Sequence, residues 1–147
     1  MKPLVLICLG LIGILIFFFV SGKQSNKINK IGLSKANLIF SGIVTDVDEV
    51  QGYNGYGIIK MKIISSNIKE YDPRDSIEFY YCLIKHGRAE VYGHAFTNMI
   101  GDTLNIDTQK RLMSIGSKGN ESDEGSISIN PDKNYYQYIR NKSEFKK

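Results

Sequence analysis

Between Leu38 and Ser66 the chain spells a strand, a turn and a second strand, and no other stretch constrains the fold as strongly. Phe40, Gly42 and Val44 share one parity and Ile39, Ile43 and Val47 the other, so the first half has apolar character on both faces, as in a small closed barrel. The turn is Gln51-Gly52-Tyr53-Asn54-Gly55-Tyr56-Gly57. Beyond it Ile59, Met61 and Ile63 alternate with Lys60 and Lys62, a period of two with one buried and one wet face. The pattern predicts a hairpin.

Tyr71-Asp72-Pro73-Arg74-Asp75 then forces a turn, because proline presets φ and the aspartates bond nearby backbone amides. A third strand is expected with Ile77, Phe79, Tyr81 and Leu83 on one face and Glu78, Tyr80 and Cys82 on the other. Lys85-His86-Gly87-Arg88 turns it into a strand over 89–93, and Asp102-Thr103-Leu104-Asn105-Ile106 repeats the aspartate, hydroxyl, alternation grammar of Asp75-Ser76-Ile77-Glu78-Phe79. Leu112, Met113 and Ile115 suit a last strand. Strands every ten to fifteen residues, with glycine at the corners, mean a small antiparallel barrel or sandwich.

With a long, glycine-bent first strand, five to six such strands resemble an OB-type barrel, although Arg88 to Met99 carries only a weak signal for the helix that fold usually holds there. Through Asn54-Gly55-Tyr56-Gly57-Ile58-Ile59 and Ile100-Gly101-Asp102 the chain also resembles the small N-terminally anchored proteins of flavobacteria-like bacteria. That group has no assigned activity, so the likeness implies a class and a compartment and no chemistry.

Ahead of the β domain, Pro3 to Gly22 carries no charge and Leu4 to Val20 is apolar throughout. As a helix those 17 residues span about 25 Å, the short end of what crosses a bilayer core. Two readings stand: an anchor that holds the lipid bilayer through residues 3–20, and a signal segment cleaved near Gly22 to secrete the rest. Lys23, Lys27 and Lys30 argue by themselves for a cytoplasmic domain, whereas a short N-terminus before a single early apolar helix argues for export. A periplasmic domain on a single-pass anchor is the expectation.

The organisation expected is therefore an anchor or signal over 1–22, a basic linker over 23–36, an OB-like domain over 37–116 and a polar tail over 117–147. In the tail, Asn130-Pro131-Asp132 offers a cap, a first-turn proline and an N-terminal acid, followed by Tyr135, Tyr138, Ile139 and Lys142 at helical spacing. A short helix and a frayed end are the competing expectations there. The 80 residues of 37–116 bury roughly 60–65% of their unfolded surface, enough for one core and too little for a deep, water-excluding active site.

The formal charge of +4 divides unevenly. Residues 21–36 hold four lysines and no acid, while residues 37–116 hold eight basic against ten acidic side chains, a balance of −2. A domain without a basic footprint is a poor match for phosphate backbones, which makes nucleic acid an unlikely partner.

No constellation of chemistry stands out. Cys82, His86 and His94 lack the spacing of a zinc site, and Asp46, Asp48 and Glu49 lack the curved glycine-containing loop that calcium needs. Cys82 reads as a buried, inert thiol, and Cys8 lies in the apolar run, so the domain has no internal disulfide. No catalytic residue, metal or cofactor is assigned. The tyrosines are the candidates: Tyr53 and Tyr56 in the first turn, and Tyr80 and Tyr92 expected on outward strand faces, with Arg88 as a charged rim. Held rings offer stacking surfaces and hydroxyls to sugars, peptides or bases. The expectation is a membrane-tethered, non-enzymatic envelope protein with a small β-barrel binding module. The alternatives are an accessory subunit that contacts a membrane complex through its N-terminal helix and, behind it, a nucleic-acid-binding OB-fold on the cytoplasmic face.

Overall fold

In the computed structural model, residues 3–34, 36–96, 99–116 and 123–146 are described, the side chains of the first helix from Gly10 onward except at 24, 25 and 34. The elements are α1 (Pro3–Ser34), β1 (Ile39–Glu49), β2 (Tyr56–Ser66), β3 (Cys82–Lys85), β4 (Arg88–His94), β5 (Thr103–Asp107), β6 (Leu112–Gly116), β7 (Asp123–Ser126) and α2 (Lys133–Lys142).

The hairpin organises the sheet as its sequence implies. β1 pairs antiparallel with β2 on one side and with β5 on the other, and the ladder slips at Ser41/Gly42 and again at Val44/Asp46. These bulges bend the strand. Gly42 is required there, because a Cβ would collide with the carbonyl oxygen of Lys62 and lie 2.8 Å from Met61 Cε.

The full order is β3-β4-β2-β1-β5-β6-β7, every pairing antiparallel. The expected five- to six-stranded OB-like barrel is therefore corrected to an open sheet of seven strands, flanked by an N-terminal and a short C-terminal helix. The ladder ends where it does for local reasons. The outer edge of β3 is taken by an isolated bridge, in which Tyr71 and Ile84 exchange bonds of 2.8 and 2.9 Å. Of the expected third strand over Ile77 to Leu83 only Cys82 and Leu83 fall in β3, which runs on to Lys85; Ser76 and Ile77 donate back to the carbonyl of Pro73 and hold the start of the stretch in a turn. The sheet still curls: Tyr81 Oη lies 3.6 Å from Met113 Sδ, which brings β6 back towards the start of β3 without a ladder between them.

One contiguous core fills the curl and covers the face above β2 and β4. Ile58, Ile59, Val91 and Tyr92 are buried, so this end of the sheet is covered on both faces. Into the core come Leu33 from α1, Ile127 and Ile129 from the segment after β7, and Tyr135, Tyr136 and Ile139 from α2. The expected basic linker is thus helical as far as Ser34, and its last turns pack on the sheet. Of the expected tail, residues 117–122 lie outside the described residues, 123–126 add a strand to β6, and α2 takes the place of a frayed end. Its cap is Asp132, not Asn130: Asp132 Oδ1 accepts the Tyr135 N–H at 2.9 Å, while Asn130 Oδ1 accepts the Asp132 N–H one turn earlier. Arg140 and Lys142 in the last turn suit the negative end of the helix dipole.

Among the described residues, no helix is long and apolar enough to cross a membrane. The described side chains of α1 begin at Gly10, and the apolar run of the sequence begins at Leu4.

Candidate functional site

The turn between β1 and β2 closes on itself through Val50 N–H to Tyr56 O at 2.9 Å and Tyr56 N–H to Tyr53 O at 2.9 Å. Gly52, Asn54 and Gly55 all take positive φ, so the loop is tight and its two tyrosines are thrown to its flanks. Neither ring hangs free. Tyr53 donates its hydroxyl to Asp132 Oδ1 at 3.3 Å, and burial followed by the Asp132 charge raises its pKa. Tyr56 shares a 3.1 Å bond with Ser128 Oγ and sits 4.2 Å, centroid to centroid, from the His94 ring. Beneath both lies Tyr135 of α2, at ring separations of 5.5 and 5.8 Å, its own hydroxyl donating to Gly57 O at 3.0 Å.

Tyr53, braced by Tyr135, stands between two shallow grooves. One, of about 450 Å³, is lined by Tyr53, Tyr56, Asn29, Asn54, Asn130 and Asp132 among others. The other, of about 490 Å³, is lined by Glu49, Gln51, Tyr53, Asn134 and Tyr138, the last donating its hydroxyl to Asp48 Oδ1 at 3.0 Å. The lining of both holds carboxamides, phenols and carboxylates and no lysine or arginine. Such walls present ring faces for stacking and neutral donors and acceptors for hydrogen bonds, which suits a neutral polar ligand or a peptide better than a polyanion.

The expected residues do not all converge here. Tyr53 and Tyr56 do. Tyr80 and Tyr92, expected on outward faces, are corrected: they are 0% and 1% exposed. Their rings lie 5.5 Å apart, edge to face, beneath α2. Tyr92 points to the same sheet face as Glu90, two residues away, and donates to its Oε2 at 2.8 Å. Arg88 stands at the opposite end of β4, where it pairs with Glu144. Along β4 it is six residues from His94, about 20 Å in an extended strand, so it is no rim for the tyrosine grooves.

Asn29, Ser128, Asp132 and Tyr135 complete the site and were not singled out from sequence as site residues. Asp132 carries a signal as the acid of a helix start; Asn29, 24 residues before Tyr53, carries none.

Cys82 is buried, and burial pushes its thiol far above the ordinary range. His86 is exposed, with Glu70 Oε1 3.8 Å from its Nδ1. Among the described residues no three of His, Cys, Asp and Glu come together as a metal site. No protein-family model matches the chain, and neither a curated protein nor a solved structure matches it.

Proposed function

We propose that this chain is a membrane-tethered, non-enzymatic envelope protein whose β domain binds a partner protein or ligand at the grooves beside Tyr53 and Tyr56. One observation carries the tether. Nine large apolar side chains between Leu11 and Val20 are each 52–69% exposed along α1. Fully burying a side chain of this kind is worth about 1.5–3 kcal/mol, so completing the burial of nine that are a little over half exposed is worth on the order of 10 kcal/mol, comparable to the whole stability of a small domain. Lipid supplies that cover at no cost in packing, and the run extended to Leu4 has the length for it.

The binding reading is supported by the construction of the grooves. Aromatic walls fixed by hydrogen bonds, with Asn29 and Asn130 already held by backbone amides, cost little entropy on association.

Membrane pellets from cells expressing the full chain, washed with alkaline carbonate, should retain it, and detergent should release it. Protease should remove the β domain once the outer barrier is opened. Recovery in the carbonate wash would end the tether, and protection until the inner membrane is lysed would place the domain in the cytoplasm and end the envelope reading.

A further inference from the structure

Between the last turns of α1 and the segment that precedes β3 runs a groove of about 610 Å³. Its two sides differ in chemistry. Lys23 and Lys27 stand on α1, four residues apart and therefore on one helix face. Facing and continuing them are Ile28, Ile31, Ile77 and Phe79, which leave the cleft with apolar walls. The acid at its margin is Glu78, and Lys133 from α2 lies 3.3 Å from that carboxylate. Against two lysines the lining thus sets one carboxylate, itself paired with Lys133. The Lys23 ammonium lies 4.4 Å from the ring centroid of Phe19, so it sits over the last turn of the apolar part of α1.

Position along the helix decides what this cleft meets. From Val20, the last residue of the apolar run, Lys23 and Lys27 are three and seven residues further on, about 4.5 and 10 Å along the axis. The headgroup region adds roughly 5–8 Å to each side of a hydrocarbon core. If α1 enters a bilayer, as the tether reading on which this inference rests requires, the mouth of the cleft lies at the level of lipid phosphates.

We propose that this cleft holds the headgroup of an anionic phospholipid, with its phosphate between Lys23 and Lys27. This is more specific than attraction of a basic segment to an anionic surface, because Lys30, in the same segment, does not line the cleft.

The chain contains no tryptophan, so Ile77→Trp places a single reporter in the cleft of the full-length protein. Reconstituted in phosphatidylcholine vesicles containing 30% phosphatidylglycerol, it should be quenched several-fold more strongly by brominated phosphatidylglycerol than by brominated phosphatidylcholine at equal mole fraction. Lys23→Gln and Lys27→Gln should each lower that preference, by about fivefold in relative affinity at most, and Lys30→Gln should leave it unchanged. Equal quenching by the two lipids overturns the proposal, and so does a loss with Lys30→Gln as large as with the other two, which would mean diffuse attraction alone. Flotation with the vesicles separates this failure from that of the tether: a chain that floats with neither vesicle has lost both readings, and one that floats but shows no preference has lost only this one.

Discussion

Asn29 and Ile129, one hundred positions apart, are joined by a hydrogen bond of 2.7 Å from the Ile129 N–H to Asn29 Oδ1. The bond matters because Asn29 belongs to the helix that carries the apolar run and Ile129 to the segment that closes the core. With Leu33 buried one turn further on, α1 is fixed to the sheet and does not hang from it as a loose tether.

Gly32 shows how close that docking is. A Cβ there would collide with Ile129 Cδ1 and lie 3.0 Å from the Phe79 carbonyl oxygen. Gly32→Ala should therefore weaken the docking by about 1–3 kcal/mol, and Asn29→Ala, which strands the Ile129 N–H, by about 1–2. Limited proteolysis at Lys27 and Lys30 should speed up at least fivefold in both variants while the sheet itself stays resistant. Unchanged cleavage would show that the helix is not held there.

Glu90 is a carboxylate only 1% exposed, and it holds the C-terminus. It accepts from Tyr92 Oη at 2.8 Å, from Ser143 Oγ at 2.7 Å and from the Glu144 N–H at 2.7 Å. Glu90→Gln keeps the shape but turns one acceptor into a donor, and should cost about 1–3 kcal/mol in urea unfolding; Glu90→Ala, which leaves all three donors unmet, should cost about 3–5. Hydrogen exchange should quicken first in α2. A loss spread evenly over the sheet would contradict the assignment of Glu90 as the clamp on this segment.

The β3–β4 turn places His86 at φ 51° and Gly87 at φ 71°. Two left-handed residues in a two-residue loop match the right-handed twist of the flanking strands, and asparagine followed by glycine is the preferred pair. His86→Asn should raise stability by about 0.5–1 kcal/mol, visible as an upward shift in Tm, whereas Gly87→Ala should lower it by about 1–2. A fall in Tm with His86→Asn would mean that the exposed imidazole contributes through Glu70 after all.

Stability should fall at both ends of the pH scale, for different groups. The Arg74 side chain beside Asp72, with Lys85 next, holds that carboxyl well below the usual carboxylate range. The stability it confers is complete above the unfolded value near 4 and drains away as pH falls towards the folded value. Asp72→Asn should remove part of the acid slope. At the other end, burial pushes Tyr71 up to about 12, and its hydroxyl has no hydrogen-bond partner among the described residues. The folded state holds that proton more tightly, so its contribution is complete below about pH 10 and is lost as pH rises towards 12. Tyr71→Phe should remove only part of the alkaline slope, since burial also raises Tyr81, Tyr92, Tyr135 and Tyr136, and should leave neutral stability equal or about 1 kcal/mol higher. Unfolding curves from pH 2 to pH 11.5 check both arms.

Much of the chain was legible before any coordinates. The parity of Ile59, Met61 and Ile63 against Lys60 and Lys62 gave β2, and the two-faced apolar pattern with Gly42 gave a bent β1. A strand period of two is a local property, and local properties survive in a sequence. The start of α2 was legible to within two residues for the same reason, since a cap is a matter of one side chain and a nearby amide. For the candidate site, the place of Tyr53 and Tyr56 in the first turn was legible, because glycine and asparagine mark a turn locally; that both rings would be half-buried against α2 was not.

What only the tertiary structure decided has a common cause. Ile77, Phe79 and Tyr81 alternate as a strand does, yet the Pro73 turn holds the start of this stretch, and Phe79 and Tyr81 pack on the core as irregular chain; hydrophobic alternation records burial and cannot say which backbone bonds accompany it. Tyr80 and Tyr92 were expected outside because a strand face is wet or dry according to what later covers it, and α2 arrives from some fifty residues downstream. β7, Asp123–Ser126, pairs through backbone groups that every residue type carries, so its side chains left no mark. The sequence by itself determined the β1–β2 hairpin, the turn between β3 and β4, the strands β4 to β6 and the start of α2. Which edge stays open, which face is covered and which distant asparagine meets which amide were set by contacts between remote segments.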